Sequence, residues 1–173
     1  MVTIFADTTS SLSVKEAEAL GIEYFPQIII FGDESFRDDY ELDSSTFIKK
    51  LIESSTLPKT AAPPPGLYGP KFEKHLSAGD SIIVLTPSTQ LSGTFRSAEV
   101  AAQDFPNADI KVIDTLSIGA SLATIVKLAN KYAKEGSSSE EIVHKVENLI
   151  TRERNLFVVD TLEYLYKGGR IGG

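Results

Sequence analysis

The chain has 173 residues, 42% of them apolar, two histidines, no cysteine and a formal net charge of −7 at pH 7, enough for one sizeable core or for one domain and part of another. The missing cysteines exclude disulfides, thiolate chemistry and Cys-based metal sites, and they fit a cytoplasmic protein; with two histidines, a metal centre is not expected. No dense basic tract offers itself to nucleic acid, and no apolar run approaches the roughly 18 residues that a membrane span needs.

Thr3–Ala6 reads as a first strand, since Met1–Phe5 has neither the basic lead-in nor the cleavage site of a signal peptide. Asp7–Ser11 is a polar turn, and Ser13 caps a helix that Gly21 stops. Ile22–Phe31 is β-rich, and the continuous Ile28–Phe31 run reads as a buried strand. Gly32-Asp33 turns it back into a short strand near Ser35–Arg37. Asp43 or Ser44 caps a helix to about Ser54, with Phe47, Ile48, Leu51 and Ile52 expected on its inner face. Leu57–Pro65 starts as an extended loop and leads into a helix reaching His75. Ser81–Leu85 is the next strand, Ser92–Phe105 a helix, and Ile110–Ile113 a strand closed by Asp114-Thr115. Ser121–Lys134 is helical to Gly136, and Ser137, Ser138 or Ser139 caps a further helix to about Arg154. Leu156–Val159 reads as a strand, Leu162–Lys167 as a short helix, and Gly168–Gly173 as a flexible end to a chain that has stopped early. Alternating strands and helices with short connections predict an α/β domain with a mostly parallel sheet and helices on both faces.

The segment Ser81–Glu99 carries the most chemistry. A strand there empties through Thr86, Ser88, Thr89, Ser92 and Thr94 into a helix, which places free N–H groups and hydroxyls at the C-terminal edge of a sheet. Asp7–Ser10, Lys59–Ala62 and Asp114–Ser117 share this hydroxyl-rich character, and at least three of the four loops should converge. Ser and Thr also serve simply as caps and turn formers, which leaves a plain interaction domain as another reading.

Ser92 as a nucleophile would need a histidine base. His75 and His144 both read as exposed helical residues away from the loops, and Gln90-Leu91-Ser92-Gly93 is not a G-x-S-x-G elbow. Asp7 and Asp114 lack a second acidic residue at metal-binding spacing and read as acceptors for their own turns. No glycine-rich phosphate loop of known pattern occurs. The basic turn Lys167-Gly168-Gly169-Arg170 either ends a helix or touches an anion or a partner.

Asp7-Thr8-Thr9, Pro58-Lys59-Thr60, Leu91-Ser92-Gly93-Thr94 with Ser97-Ala98, Asp114-Thr115, and Leu162–Gly172 occur in one order over nearly the whole chain. Together they resemble the DegV family of bacterial fatty-acid-binding proteins. The resemblance implies two α/β domains with a long acyl chain held between them. It implies that Ser92, with the backbone of Gly93 and Thr94, binds the lipid carboxylate, and that Thr60 approaches the same head group. Asp7 and Arg170 are candidates for contact with ligand or partner. After Lys59-Thr60 the chain reads Ala61-Ala62-Pro63-Pro64, where the family usually continues Ser-Gln-Pro-Ser, so this loop's expected head-group role ends at Thr60.

The expectation is therefore an N-terminal α/β domain over residues 1–153 and the start of a truncated second α/β domain over 154–173. It binds a long-chain fatty acid without covalent chemistry or cofactor. The resemblance further implies presentation of that lipid to the catalytic subunit of a fatty acid kinase, and the chain itself is not expected to be an enzyme. The alternative is a hydrolase or transferase acting through Ser92 on a small acyl or phosphorylated substrate. A truncated lobe would expose an apolar face and self-associate.

Overall fold

The structure is a computed structural model and describes residues 1–171; the Gly172-Gly173 end lies outside the described residues. Four parallel strands, β1 (Val2–Asp7), β2 (Glu23–Phe25), β6 (Ser81–Thr86) and β7 (Ile110–Asp114), form the main sheet in the order β2-β1-β6-β7. Side chains alternate across a strand, so β1 feeds two cores. Ile4 and Ala6 pack with Ile83 and Leu85 against one helical layer, α1 (Val14–Leu20), α5 (Gly119–Lys134) and α6 (Ser139–Arg152). Phe5 packs with Ile82 and Val84 against the other, α3 (Gly69–Ser77) and α4 (Thr94–Ala102). The three-layer α/β/α arrangement follows from burying both faces of a parallel sheet.

The helix ends follow local chemistry. Ser13 and Glu16 close a capping box on α1, and Gly21 ends that helix at φ 70°. Ser138 and Glu141 form the same box on α6. Asn130 from α5 donates to Leu20 O at 2.9 Å and so satisfies a carbonyl at the end of α1.

The run Ile22–Phe31 divides at Pro26-Gln27. Ile28–Phe31 (β3) enters a second, antiparallel sheet with β4 (Glu34–Arg37) and β5 (Lys59–Ala61), in the order β4-β3-β5. This corrects two readings. The continuous apolar run is only half-buried, because the small sheet has no helical layer closed over both faces. Lys59–Ala61, taken as an extended loop, is a strand whose partner β3 lies far away in sequence. Helix α2 (Ser44–Glu53), capped by Asp43, turns Phe47 toward Phe31 with ring centroids 5.8 Å apart. Ile48 and Ile52, expected inside, are 54% and 79% exposed, since α2 has only the narrow hairpin to cover.

After α6 the chain leaves the core. The predicted strand Leu156–Val159 does not form: no described residue pairs with it, and Leu156 and Val158 are 91% and 98% exposed. A strand needs a neighbour for its backbone hydrogen bonds. Helix α7 (Glu163–Lys167) follows, and Gly169 (φ 71°) turns Arg170 N back to Leu165 O at 2.9 Å.

Candidate functional site

Parallel strands bring their C-terminal ends to one edge, so the loops after β1, β6 and β7 meet there. Thr89 from the β6 loop donates its hydroxyl to Asp114 at the end of β7, 2.7 Å away, and Leu116 N donates to the same carboxylate at 2.9 Å. The small sheet leans over this edge, and Thr60 on β5 comes with it. A cleft of about 310 Å³ results, its walls including Gln27, Thr60, Ala62, Thr89, Ser92 and Arg170.

Gly93, also on the lining, directly precedes α4, and a Cβ built there would stand 3.9 Å from Ala62 Cβ across the cleft. The first N–H groups of α4 have no acceptor inside the helix, and the positive end of its dipole points at the cleft. Ser92 Oγ accepts from Thr94 N at 3.3 Å and lies 2.9 Å from Thr94 Oγ1. Arg170 reaches the rim with Nη2 3.4 Å from Thr60 Oγ1. The structure thus brings Thr60, Ser92, Gly93 and Arg170 onto one cleft, with buried Thr94 directly behind Ser92.

Asp7 is placed differently. It is 1% exposed and lies behind the cleft wall rather than on the lining. Its Oδ1 accepts from Thr9 N at 2.9 Å and from the Thr9 hydroxyl, while Oδ2 accepts from Gln27 Nε2 at 2.8 Å. Burial pushes its pKa up to about 6; hydrogen bonds from Thr9 oppose the rise, and the Asp38 charge adds to it. Asp38 itself accepts the Thr8 hydroxyl at 2.7 and 2.8 Å, and burial raises its pKa as well. Tyr68, wholly buried beneath this edge against Phe25, has a hydroxyl without a partner among the described residues; burial first, and the Asp7 charge second, raise its pKa.

Sequence reasoning missed Gln27. It is 8% exposed, and its Nε2 joins Asp7 to Thr94 Oγ1 at 3.0 Å. The signal was the polar residue after Pro26 inside an apolar run, because a buried amide must find partners. His75 is a correction: it is not an exposed helical residue. Its ring packs edge-on against Phe5, and its nitrogens meet Glu23 Oε1 at 2.8 Å and Asp80 Oδ2 at 3.2 Å. His144 is exposed on α6. Neither histidine is among the hydrogen-bond partners of Ser92. Among the described residues no three His, Cys, Asp or Glu side chains cluster as metal ligands, and no helix is long and apolar enough to cross a membrane.

The family model described as "Uncharacterised protein, DegV family" matches residues 1–173. A DegV domain-containing protein of Halalkalibacterium halodurans is 31% identical over 171 residues, covering 98% of this chain and 60% of the relative. A DegV family protein from Thermus thermophilus, solved in a study of its fatty acid binding, superposes with a TM-score of 0.88 at 32% identity, covering 99% of this chain and 61% of that one. A stearic-acid-binding protein from Eubacterium ventriosum gives a TM-score of 0.88 at 28% identity, with 99% and 61% coverage. The chain therefore spans about three fifths of the length of these relatives.

Proposed function

This chain belongs to the DegV family, and on that premise we propose that it binds a long-chain fatty acid non-covalently, with the carboxylate in the cleft between β5 and the start of α4. One observation carries the reading: Thr60 on β5 of the small sheet and Ser92 in the loop after β6 of the main sheet, far apart in sequence, line the same cleft. Both hydroxyls, with the backbone N–H of Gly93, offer neutral donors to an anion, while Thr94 N–H holds the Ser92 oxygen in place. The Arg170 guanidinium at the rim adds the one cationic side chain of the lining. A carboxylate taken out of water stays charged only if several donors replace its hydration. The relatives named for fatty acid and stearic acid binding support the choice of ligand.

Affinity would come mainly from the tail, at about 0.8 kcal/mol for each buried CH₂. Residues 1–153 form the head-group lobe in this reading, and 154–171 belong to a second unit that helps to cover the tail. Their exposed Phe157, Val158 and Leu162 support that division. The chain carries no catalytic group of its own and acts in the cytoplasm, presenting lipid to the catalytic subunit of a fatty acid kinase.

Calorimetry with oleate tests the head-group assignment. Ser92→Ala and Thr60→Ala should each weaken binding about tenfold, the scale of a lost hydrogen bond to a charged group. Wild-type affinity in both variants would remove the carboxylate from this cleft.

A further inference from the structure

Asp7 touches no ligand-facing surface, yet it anchors a row of polar groups that ends in the cleft. A carboxylate only accepts hydrogen bonds, so the Gln27 atom against Asp7 Oδ2 at 2.8 Å must be the amide nitrogen. The second hydrogen of that nitrogen points at Thr94 Oγ1, 3.0 Å away. Either hydroxyl of the Ser92–Thr94 pair could donate across their 2.9 Å, but Thr94 has one proton, the Gln27 nitrogen cannot accept it, and Ser92 Oγ can. Ser92 Oγ also accepts from Thr94 N at 3.3 Å. Two donors then occupy the Ser92 oxygen, and its own proton is left for the cleft.

We infer that Asp7 is a positioning residue which, through Gln27 and Thr94, fixes the Ser92 hydroxyl as a hydrogen-bond donor and so selects a carboxylate over an uncharged head group. The inference rests on the fatty acid reading of the cleft. An anion against Ser92 reinforces the row, because the Gln27, Thr94 and Ser92 protons then all point along it toward the incoming charge.

The row also has a reversed form. If residue 7 presents a donor, the Gln27 amide turns its oxygen inward and Thr94 donates back to that oxygen. Ser92 then donates to Thr94 and shows the cleft a lone pair. A carboxylate is repelled by that lone pair, whereas an alcohol donates to it. The titratable groups that bear on Asp7 are Asp38 at the end of the hairpin, Tyr24 on β2 and Tyr68 ahead of α3, and none supplies a cation. Gln27 is thus the link that carries the orientation of the row.

The test titrates oleate and oleyl alcohol into the wild-type chain, Asp7→Asn and Gln27→Met at neutral pH. Asp7→Asn keeps the size and one acceptor oxygen for Thr9. Gln27→Met removes the link from the other side, should the first variant fold poorly. Asp7→Asn should weaken oleate about tenfold while changing the alcohol less than about twofold; Gln27→Met, which also alters the cleft wall, should weaken oleate about tenfold and clearly more than the alcohol. Equal losses for the two ligands, or none, would overturn the inference. If the wild type binds neither ligand, the fatty acid reading fails by itself, and the side-chain amide resonances of Gln27 decide the relay. They should titrate with Asp7 in the wild type and move in Asp7→Asn; resonances indifferent to both changes would also overturn it.

Discussion

Two carboxylates at the β1–β2 edge of the main sheet have opposite fates. Glu23 opens β2 beside Lys71, Lys74 and His75, whose nitrogens lie 2.5, 2.9 and 2.8 Å from its oxygens. Burial raises its pKa, but hydrogen bonds from His75, Lys71 and Lys74 overcome that rise and hold it at about 2. Asp7 closes β1 among neutral donors, with Asp38 in place of a cation, and rises to about 6. The first arrangement stabilises the fold with charge. The second keeps a charge that the fold tolerates at a cost, where hydroxyls need orienting. The ion cluster sits at one end of the strands and the cleft proposed for recognition at the other.

Removing what joins the two ends should have the largest effect. The Phe5 ring lies 5.8 Å from Phe25 on the Asp7 side and 5.5 Å from His75 on the Glu23 side. Phe5→Ala should cost about 3–5 kcal/mol in urea unfolding. A loss under about 1 kcal/mol would mean that the two ends are held independently. Glu23→Gln should cost about 2 kcal/mol at neutral pH, because it leaves Lys71 and Lys74 without their anion and His75 with Asp80 alone. An unchanged urea midpoint would reduce the cluster to a surface ion pair.

The smallest effect separates the ends by pH. The Asp7 pKa is higher folded than unfolded, so the native state binds the extra proton and stability falls as pH rises through the interval between about 4 and about 6. Between about pH 5 and about pH 7 the loss should be about 1 kcal/mol, and Asp7→Asn should abolish it. The Glu23 pKa is lower folded than unfolded. Its contribution is complete above about 4.5 and fades only as pH falls toward about 2, so Glu23→Gln should leave the change between about pH 5 and about pH 7 intact. A pH slope that survives in Asp7→Asn and vanishes in Glu23→Gln would invert the comparison.

What the sequence made legible was local. Ser13 and Gly21 announce helix ends, and Asp43-Ser44 and Ser137–Ser139 narrow two more to caps that prove to be Asp43 and Ser138, because caps depend on near neighbours. The parallel strands and both helical layers follow from alternation of apolar segments. Thr60 and Ser92 were singled out through a family resemblance. Hydroxyl content alone could not choose among four similar loops. The second sheet stayed hidden because Ile28–Phe31 looks like any buried strand, and its partner β5 begins beyond α2. His75 misled for the same reason: Glu23 and Asp80 reach it through folding, and nothing in Lys74-His75-Leu76 announces them.

The cleft is a seam between two sheets. Its Ser92 wall grows from the rigid parallel core, and its Thr60 wall hangs on a three-stranded flap joined through Pro26-Gln27, where Gln27 N is tied to Thr8 Oγ1 at 3.0 Å. A head group held across that seam stitches the flap to the core. On the proposed function its grip would include a mechanical share, and the residence time of a bound fatty acid would report how firmly the small sheet is held as well as how well the donors fit.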